Sequence, residues 1–182
     1  MSMTTTIADA PTFIRKEITS LRKLDVGAGA IREDGYETMD ISPAFSPDFQ
    51  HDITQFPWPF EDQTFDEVKC FHVLEHLERK FLVPVMNEMH RILKPDGRAR
   101  IEVPLFPYWP AIADPTHVSF FVIQTFAYFC TGESYQKAAH GARAFEDYAD
   151  HRKLYGIKEW EMIAAKRDGM GSIVRVELKP CV

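Results

Sequence analysis

The seven residues Lys23-Leu24-Asp25-Val26-Gly27-Ala28-Gly29 constrain this chain more than any other stretch. A short apolar run ending in two glycines one residue apart reads as a β-strand followed by a bend that only small residues fit. In open α/β sheets such a bend is where a ligand approaches the main chain, because glycine adopts left-handed backbone angles and carries no side chain. The third glycine of a dinucleotide fingerprint is absent, and residues 31–34 hold no replacement. Residues 30–35 are also too few for the crossover helix that normally joins parallel strands. Both departures argue against a standard dinucleotide site.

The remaining pattern extends a sheet from that first strand at 23–26. Strands are expected near 36–41, ending at Asp40, at 49–53 with Asp52 near the end, at 65–73 and at 99–105. Apolar residues at helical spacing predict a helix over 74–93, kinked or divided at Pro84, with Lys94-Pro95-Asp96-Gly97 as its stop. A second helix is expected over 119–129, capped by Ser119, and a final pair of strands at 155–166 and 173–178. Residues 1–11 read as a flexible lead-in and 12–22 as a short helix capped by Thr12. The polar stretch 131–151 reads as an excursion. No repeat or second domain is visible, so residues 23–182 form a single domain after the lead-in and helix of 1–22. The expected fold is three-layer α/β, with a mostly parallel sheet ending in an antiparallel hairpin.

Composition narrows the function. A formal net charge of -6 argues against a nucleic-acid backbone as the main ligand, which needs concentrated Lys and Arg. Cys70, Cys130 and Cys181 are too few and too scattered for a disulfide framework or a zinc knuckle, and read as reduced thiols of a cytoplasmic protein. No apolar run is long enough to cross a membrane, and residues 1–10 lack the charged and apolar regions of a secretory signal.

Gly27, Gly29, Asp40 and Asp52 fall at three successive strand ends, where ligands bind open α/β sheets. The glycines let a ligand reach the backbone. Asp40, with two acceptor oxygens, suits both hydroxyls of a ribose, and Asp52 suits the exocyclic amine of adenine. The competing reading, aspartates that merely cap turns, does not account for their shared position. His72-Val73-Leu74-Glu75-His76 matches the H-x-x-E-H pattern of an inverted zinc site. A polar rim at a strand-to-helix junction is the preferred reading, because such zinc sites need continuous helix and a third ligand. No metal role is assigned. In Asp114-Pro115-Thr116-His117, His117 is a candidate general base with Asp114 to orient it; a turn whose side chains satisfy local backbone is the alternative. Tyr108 and Trp109 are the candidate substrate aromatics, while Trp58 and Phe60 read as core or loop anchors.

The chain resembles the class I S-adenosylmethionine-dependent methyltransferases, in particular a compact group with a shortened first crossover. The resemblance runs through residues 24–29, 35–43, 51–53, 59–68, His72-Val73-Leu74-Glu75-His76, residues 88–97 and Asp114-Pro115-Thr116-His117. It implies a Rossmann-like methyltransferase fold and S-adenosylmethionine as cofactor. The implied cofactor site comprises Asp25, Gly27, Ala28, Gly29, Asp40, Ile41, Asp52, Ile53, Phe71, His72 and Val73. Its methionyl end would lie at the Asp25 to Gly29 turn and its sulfonium beside Phe71, His72 and Val73. The implied reaction is methyl transfer to a small or medium acceptor, a small molecule rather than nucleic acid. A cofactor-binding or regulatory module without catalysis is the alternative.

Overall fold

The structure, a computed structural model, describes residues 21–130, 133–134 and 152–181. The lead-in and nearly all of the helix expected over 12–22 lie outside these residues, as does the excursion at 131–151 apart from 133 and 134.

Seven strands build one sheet: β1 (Lys23–Val26), β2 (Glu37–Asp40), β3 (Phe49–Gln50), β4 (Phe65–Phe71), β5 (Leu93–Pro104), β6 (Trp160–Arg167) and β7 (Ile173–Pro180). Their order is β3-β2-β1-β4-β5-β7-β6. The first five strands pair in parallel, and β7 pairs antiparallel with both β5 and β6. This is the α/β fold expected, with its antiparallel C-terminal hairpin. Strand order reverses between β1 and β4, the switch point at which such sheets open a crevice beyond their carboxyl ends.

The central strands alternate an apolar face with buried charged residues such as Asp25, Lys69 and Glu102. Leu24 and Val26 of β1, Val68 and Cys70 of β4, and Ile101 and Val103 of β5 are all buried. Helix α1 (Arg79–Ile92) carries one apolar stripe of Leu82, Val85, Met86, Met89 and Ile92, spaced three and four residues apart. The stripe joins the same core as the sheet. At about 1.5–3 kcal/mol for each fully buried side chain, that packing rather than propensity holds the helix. Residues 27–36 form turns and no helix, so the first crossover is short, as its length required.

Four local expectations are corrected. The third strand stops at Gln50, because Asp52 Oδ1 accepts both the Thr54 N–H and its hydroxyl, at 2.9 and 2.8 Å, and turns the chain away. The helical segment divides, but not at Pro84. A 3₁₀ turn at Leu74–His76 ends before α1 begins, and Pro84 lies inside α1. The carbonyl that loses its partner there belongs to Lys80, an exposed residue that water can serve. Residues 94–97 end the helix without forming a loop. Leu93 pairs with Phe65, then the register slips so that Glu67 pairs with Arg98. Gly97 fits this bulge because a Cβ would stand 3.0 Å from the Lys94 carbonyl oxygen and 3.2 Å from that of Asp66. Finally, Ser119 does not cap a helix. Its hydroxyl donates to the Leu77 carbonyl at 2.6 Å, and helix α3 (Ile123–Ala127) starts after Val122.

Candidate functional site

The crevice at the switch point holds a cavity of about 270 Å³. Gly27 from the end of β1, Asp40 and Ile41 from β2, Asp52 and Ile53 beyond β3, and His72 and Val73 beyond β4 all line it. His51, His76 and Leu77 complete the wall. Gly27 has φ +71°, and a Cβ there would stand 2.4 Å from Val73 Cγ2. The absence of a side chain thus lets the β1 turn seat against the end of β4. Gly29, at φ +59°, has open space where its side chain would be.

Asp40 organises the glycine turn as well as facing the cavity. Its Oδ2 accepts the Gly29 N–H at 2.9 Å and its Oδ1 the Ser42 N–H at 2.8 Å. Each carboxylate oxygen has two lone pairs, so both retain capacity for a ligand hydroxyl. Asp52 uses one oxygen on Thr54 and keeps the other. The loop behind it is fixed by Trp58, whose indole N–H donates to the Ile53 carbonyl at 3.0 Å. Glu88 accepts the Trp58 N–H at 2.7 Å, and Arg91 binds Glu88 and the Trp58 and Phe60 carbonyls. Phe60 meets Phe49 and Phe65 edge-on. Trp58 and Phe60 are therefore anchors of the wall.

Asp25, Ala28, Gly29 and Phe71 do not line this cavity. Asp25 is buried beneath the turn and bound to Lys69 Nζ at 2.8 Å, its neighbour on β4. Burial pushes its carboxyl above the usual range, against the pull of Lys69. Phe71 lies under the Lys69 ammonium and the Arg100 guanidinium.

A second cavity, of about 490 Å³, adjoins on the side of β5 and β7 and is lined by His72, Pro104, Trp109, Asp114, His117 and Ile173 among others. Trp109 begins the short helix α2 (Trp109–Ala113) and is 74% exposed; Tyr108 precedes that helix and does not line the cavity. His72 belongs to both cavities. It has φ +56°, unusual for a residue with a side chain and the kind of strain found at functional sites. Its Nδ1 is 3.4 Å from Glu75 and its Nε2 3.0 Å from Glu102, which also holds Arg175. Above all the Glu75 carboxylate, with Glu102 adding to it, raises the His72 pKa against the effect of burial.

In the Asp114 turn, one carboxylate oxygen accepts the Thr116 N–H at 2.8 Å and its hydroxyl at 2.6 Å. These bonds hold the Asp114 pKa below the usual carboxylate value. Asp114 stands 3.8 Å from His117 Nε2, beyond hydrogen-bond reach, whereas His117 Nδ1 meets the Ala111 carbonyl at 3.3 Å. The backbone of α2 therefore orients His117, a task expected of Asp114. The turn is tied to the end of β4, since Val118 N–H and Ser119 N–H both donate to the Glu75 carbonyl.

The H-x-x-E-H residues span a strand end and a 3₁₀ turn, not an α-helix, so the zinc geometry weighed for them is not formed by His72 and His76 as a helical pair. In the sequence His51 stands only inside the segment 51–53 and Leu77 only in the helical pattern, so neither is singled out for the site. His76 is, but only as a member of that motif.

The family described as methyltransferase domain matches residues 24–101. No curated protein matches the chain. Solved structures share its fold at low identity. A SAM-dependent methyltransferase from Archaeoglobus fulgidus aligns with a TM-score of 0.57 and 16% identity, over 88% of this chain and 86% of that one. A TehB-like SAM-dependent methyltransferase from Corynebacterium glutamicum aligns at 0.54 and 15%, over 89% and 81%. The 1,6-didemethyltoxoflavin-N1-methyltransferase of Burkholderia thailandensis, solved with 1,6-didemethyltoxoflavin and S-adenosylhomocysteine, aligns at 0.53 and 15%, over 89% and 72%.

Proposed function

We propose that the chain is a class I S-adenosylmethionine-dependent methyltransferase, a reading supported by the methyltransferase-domain match over residues 24–101 and by the shared fold, and that it binds S-adenosylmethionine and transfers the methyl group to a small-molecule acceptor. The observation that carries the reading is the pair of adjoining cavities that share His72. The switch-point cavity is the donor side and the cavity of Trp109 and His117 the acceptor side.

The residues present fit the cofactor. Asp40 retains lone pairs for the ribose hydroxyls, the second oxygen of Asp52 remains for the adenine amine, and Ile41, 62% exposed, offers an apolar face beside them. The open space at Gly29 leaves room for the methionyl end. Asp25 and Phe71 support the turn and the end of β4 from behind. The bound cofactor supplies a methyl already activated by a positive sulfur. Held by Asp40, Asp52 and the glycine turn, it would supply that methyl for direct displacement by the acceptor, with the bonding electron pair left on sulfur. The protein's work is then alignment, with removal of a proton from a protic acceptor. His117 is the base on the acceptor wall, positioned by Ala111. Trp109 rims that wall, with Tyr108 beside it in the chain as the second candidate aromatic, and Asp114 shapes its turn. On this reading the donor and acceptor sites belong to one unit, residues 23–182, and the unpaired cysteines support a cytoplasmic protein. Among the described residues no helix is long and apolar enough to cross a membrane.

Calorimetric titration with S-adenosylhomocysteine tests the reading. Wild-type protein binds, and Asp52→Ala weakens binding by about tenfold, as expected for one lost charge-assisted hydrogen bond. Asp40→Asn weakens it at least as much, since it disturbs both ribose contacts and the Gly29 turn. Unchanged affinity in both variants overturns the pocket. Binding without transfer to any acceptor in a small-molecule panel supports the regulatory-module reading instead.

A further inference from the structure

We propose that Glu75, His76 and His117 form a binding site for a divalent transition metal ion of the zinc class. One ligating atom of each lies within 4.8 Å of the others. The pairing differs from the H-x-x-E-H reading, because the second histidine comes from a turn 41 residues further on (117 minus 76). Val118 and Ser119 hold that turn to Glu75 through its carbonyl, and the two imidazoles meet edge-on with centroids 4.8 Å apart.

Two independent observations point to a cation. The first is Glu75 itself. Its side chain is 2% exposed, and neither carboxylate oxygen has a hydrogen-bond partner among the described residues. His72 Nδ1 faces one of these oxygens at 3.4 Å, an ion pair when that imidazole is protonated. A buried carboxylate served only by that long contact is costly to hold, and a metal ion relieves it directly.

The second is the direction of the surrounding hydrogen bonds. Thr116 has one hydroxyl proton, and it is committed to Asp114 Oδ1 at 2.6 Å. At 3.1 Å from the same hydroxyl, His76 Nδ1 must therefore donate. His117 Nδ1 faces a carbonyl oxygen, that of Ala111, which can only accept. In its neutral form each imidazole then carries its proton on Nδ1, which leaves the Nε2 lone pair for a ligand. An imidazole that ligates a metal through one nitrogen while the other donates to a carbonyl or hydroxyl is the usual outer-shell arrangement. Two imidazoles and a carboxylate suit zinc and its neighbours, and leave a coordination position open. His76 is exposed, which gives the ion a route in.

The metal site stands on its own geometry, and only its consequence rests on the methyl-transfer reading. His117 and Asp114 line the acceptor cavity, so the ion would act on an acceptor hydroxyl in place of a free His117 base.

The test uses the full chain, stripped with chelator and titrated with ZnCl₂, with bound zinc measured by mass spectrometry and S-adenosylhomocysteine affinity measured in parallel. About one zinc per chain is expected, and the cobalt-substituted protein should show the visible bands of a low-coordinate site. His117→Ala and Glu75→Gln should each weaken zinc binding by more than about tenfold, while His72→Ala retains it. Circular dichroism and S-adenosylhomocysteine binding confirm that the variants fold. No stoichiometric zinc in the wild type, or equal zinc in wild type and both ligand variants, overturns the site. Loss of S-adenosylhomocysteine binding with zinc retained would instead strike the cofactor reading alone.

Discussion

Replacing Gly27 by Ala should damage both stability and the donor pocket, and its cost can be divided into two parts. The first is conformational. Gly27 has φ +71°, and a residue with a Cβ loses about 1–2 kcal/mol in that region. The second is steric. The new Cβ would lie 2.4 Å from Val73 Cγ2, and Val73 is wedged against the core, so relief requires movement of β4's end or the β1 turn. Overpacking of this kind costs about 1–3 kcal/mol. The sum, roughly 2–5 kcal/mol, corresponds to a fall of roughly 4–20 °C in Tm for a chain of this size. Gly29→Ala is the internal control. Its φ is +59° but nothing stands within 4 Å of the added carbon, so it loses only the conformational part. Thermal unfolding by circular dichroism should therefore rank Gly27→Ala well below Gly29→Ala. The contact can then be isolated. Adding Val73→Ala to Gly27→Ala should restore the steric part, giving a coupling of about 1–3 kcal/mol in a double-mutant cycle. Equal losses for the two glycine variants, together with additive effects at Gly27 and Val73, would refute the contact and with it the claim that the glycine turn is seated on β4.

Other consequences follow from the anchors and thiols. Burial opposes the charged form of Glu88, but hydrogen bonds from Arg91 and from the Trp58 N–H outweigh it and hold its pKa below the ordinary value of 4.5. Its charge therefore adds stability above the unfolded pKa, and that contribution is lost as pH falls through the lower folded value. Glu88→Gln should cost about 1.5–3 kcal/mol at neutral pH, with the gap to wild type closing below about pH 4 in urea titrations; a gap independent of pH would exclude the charge as its source. Among the cysteines, Cys70 and Cys130 are buried, and burial pushes both thiols far above their usual pKa. Ellman's reagent should label the partly exposed Cys181 first in the folded protein and all three thiols in denaturant; simultaneous labelling of the folded chain would contradict the burial.

Local pattern determined much of this molecule by itself. Alternation and apolar runs placed β1, β2, β4 and the last two strands, because a strand face packed on the core must be apolar wherever it falls in the fold. The spacing of Leu82, Val85, Met86, Met89 and Ile92 likewise dictated α1. Gly27, Asp40 and Asp52 were legible as a constellation, since strand ends in a parallel sheet share one edge. What the tertiary structure decided depended on partners distant in the chain. Only the register of β5 on β4 turns the Lys94 to Gly97 stop into a bulge. Ser119 looks like a helix cap until Leu77, 42 residues earlier, claims its hydroxyl. Asp25 reads as part of a ligand turn but is neutralised from below by Lys69 on β4. Most of all, the sequence offers His72 and His76 as the natural pair, four residues apart. The fold instead points His72 at Glu102 and carries His117 to Glu75 and His76, because hydrogen bonding of the 117–119 backbone to the Glu75 carbonyl is a property of the closed chain and not of any local pattern.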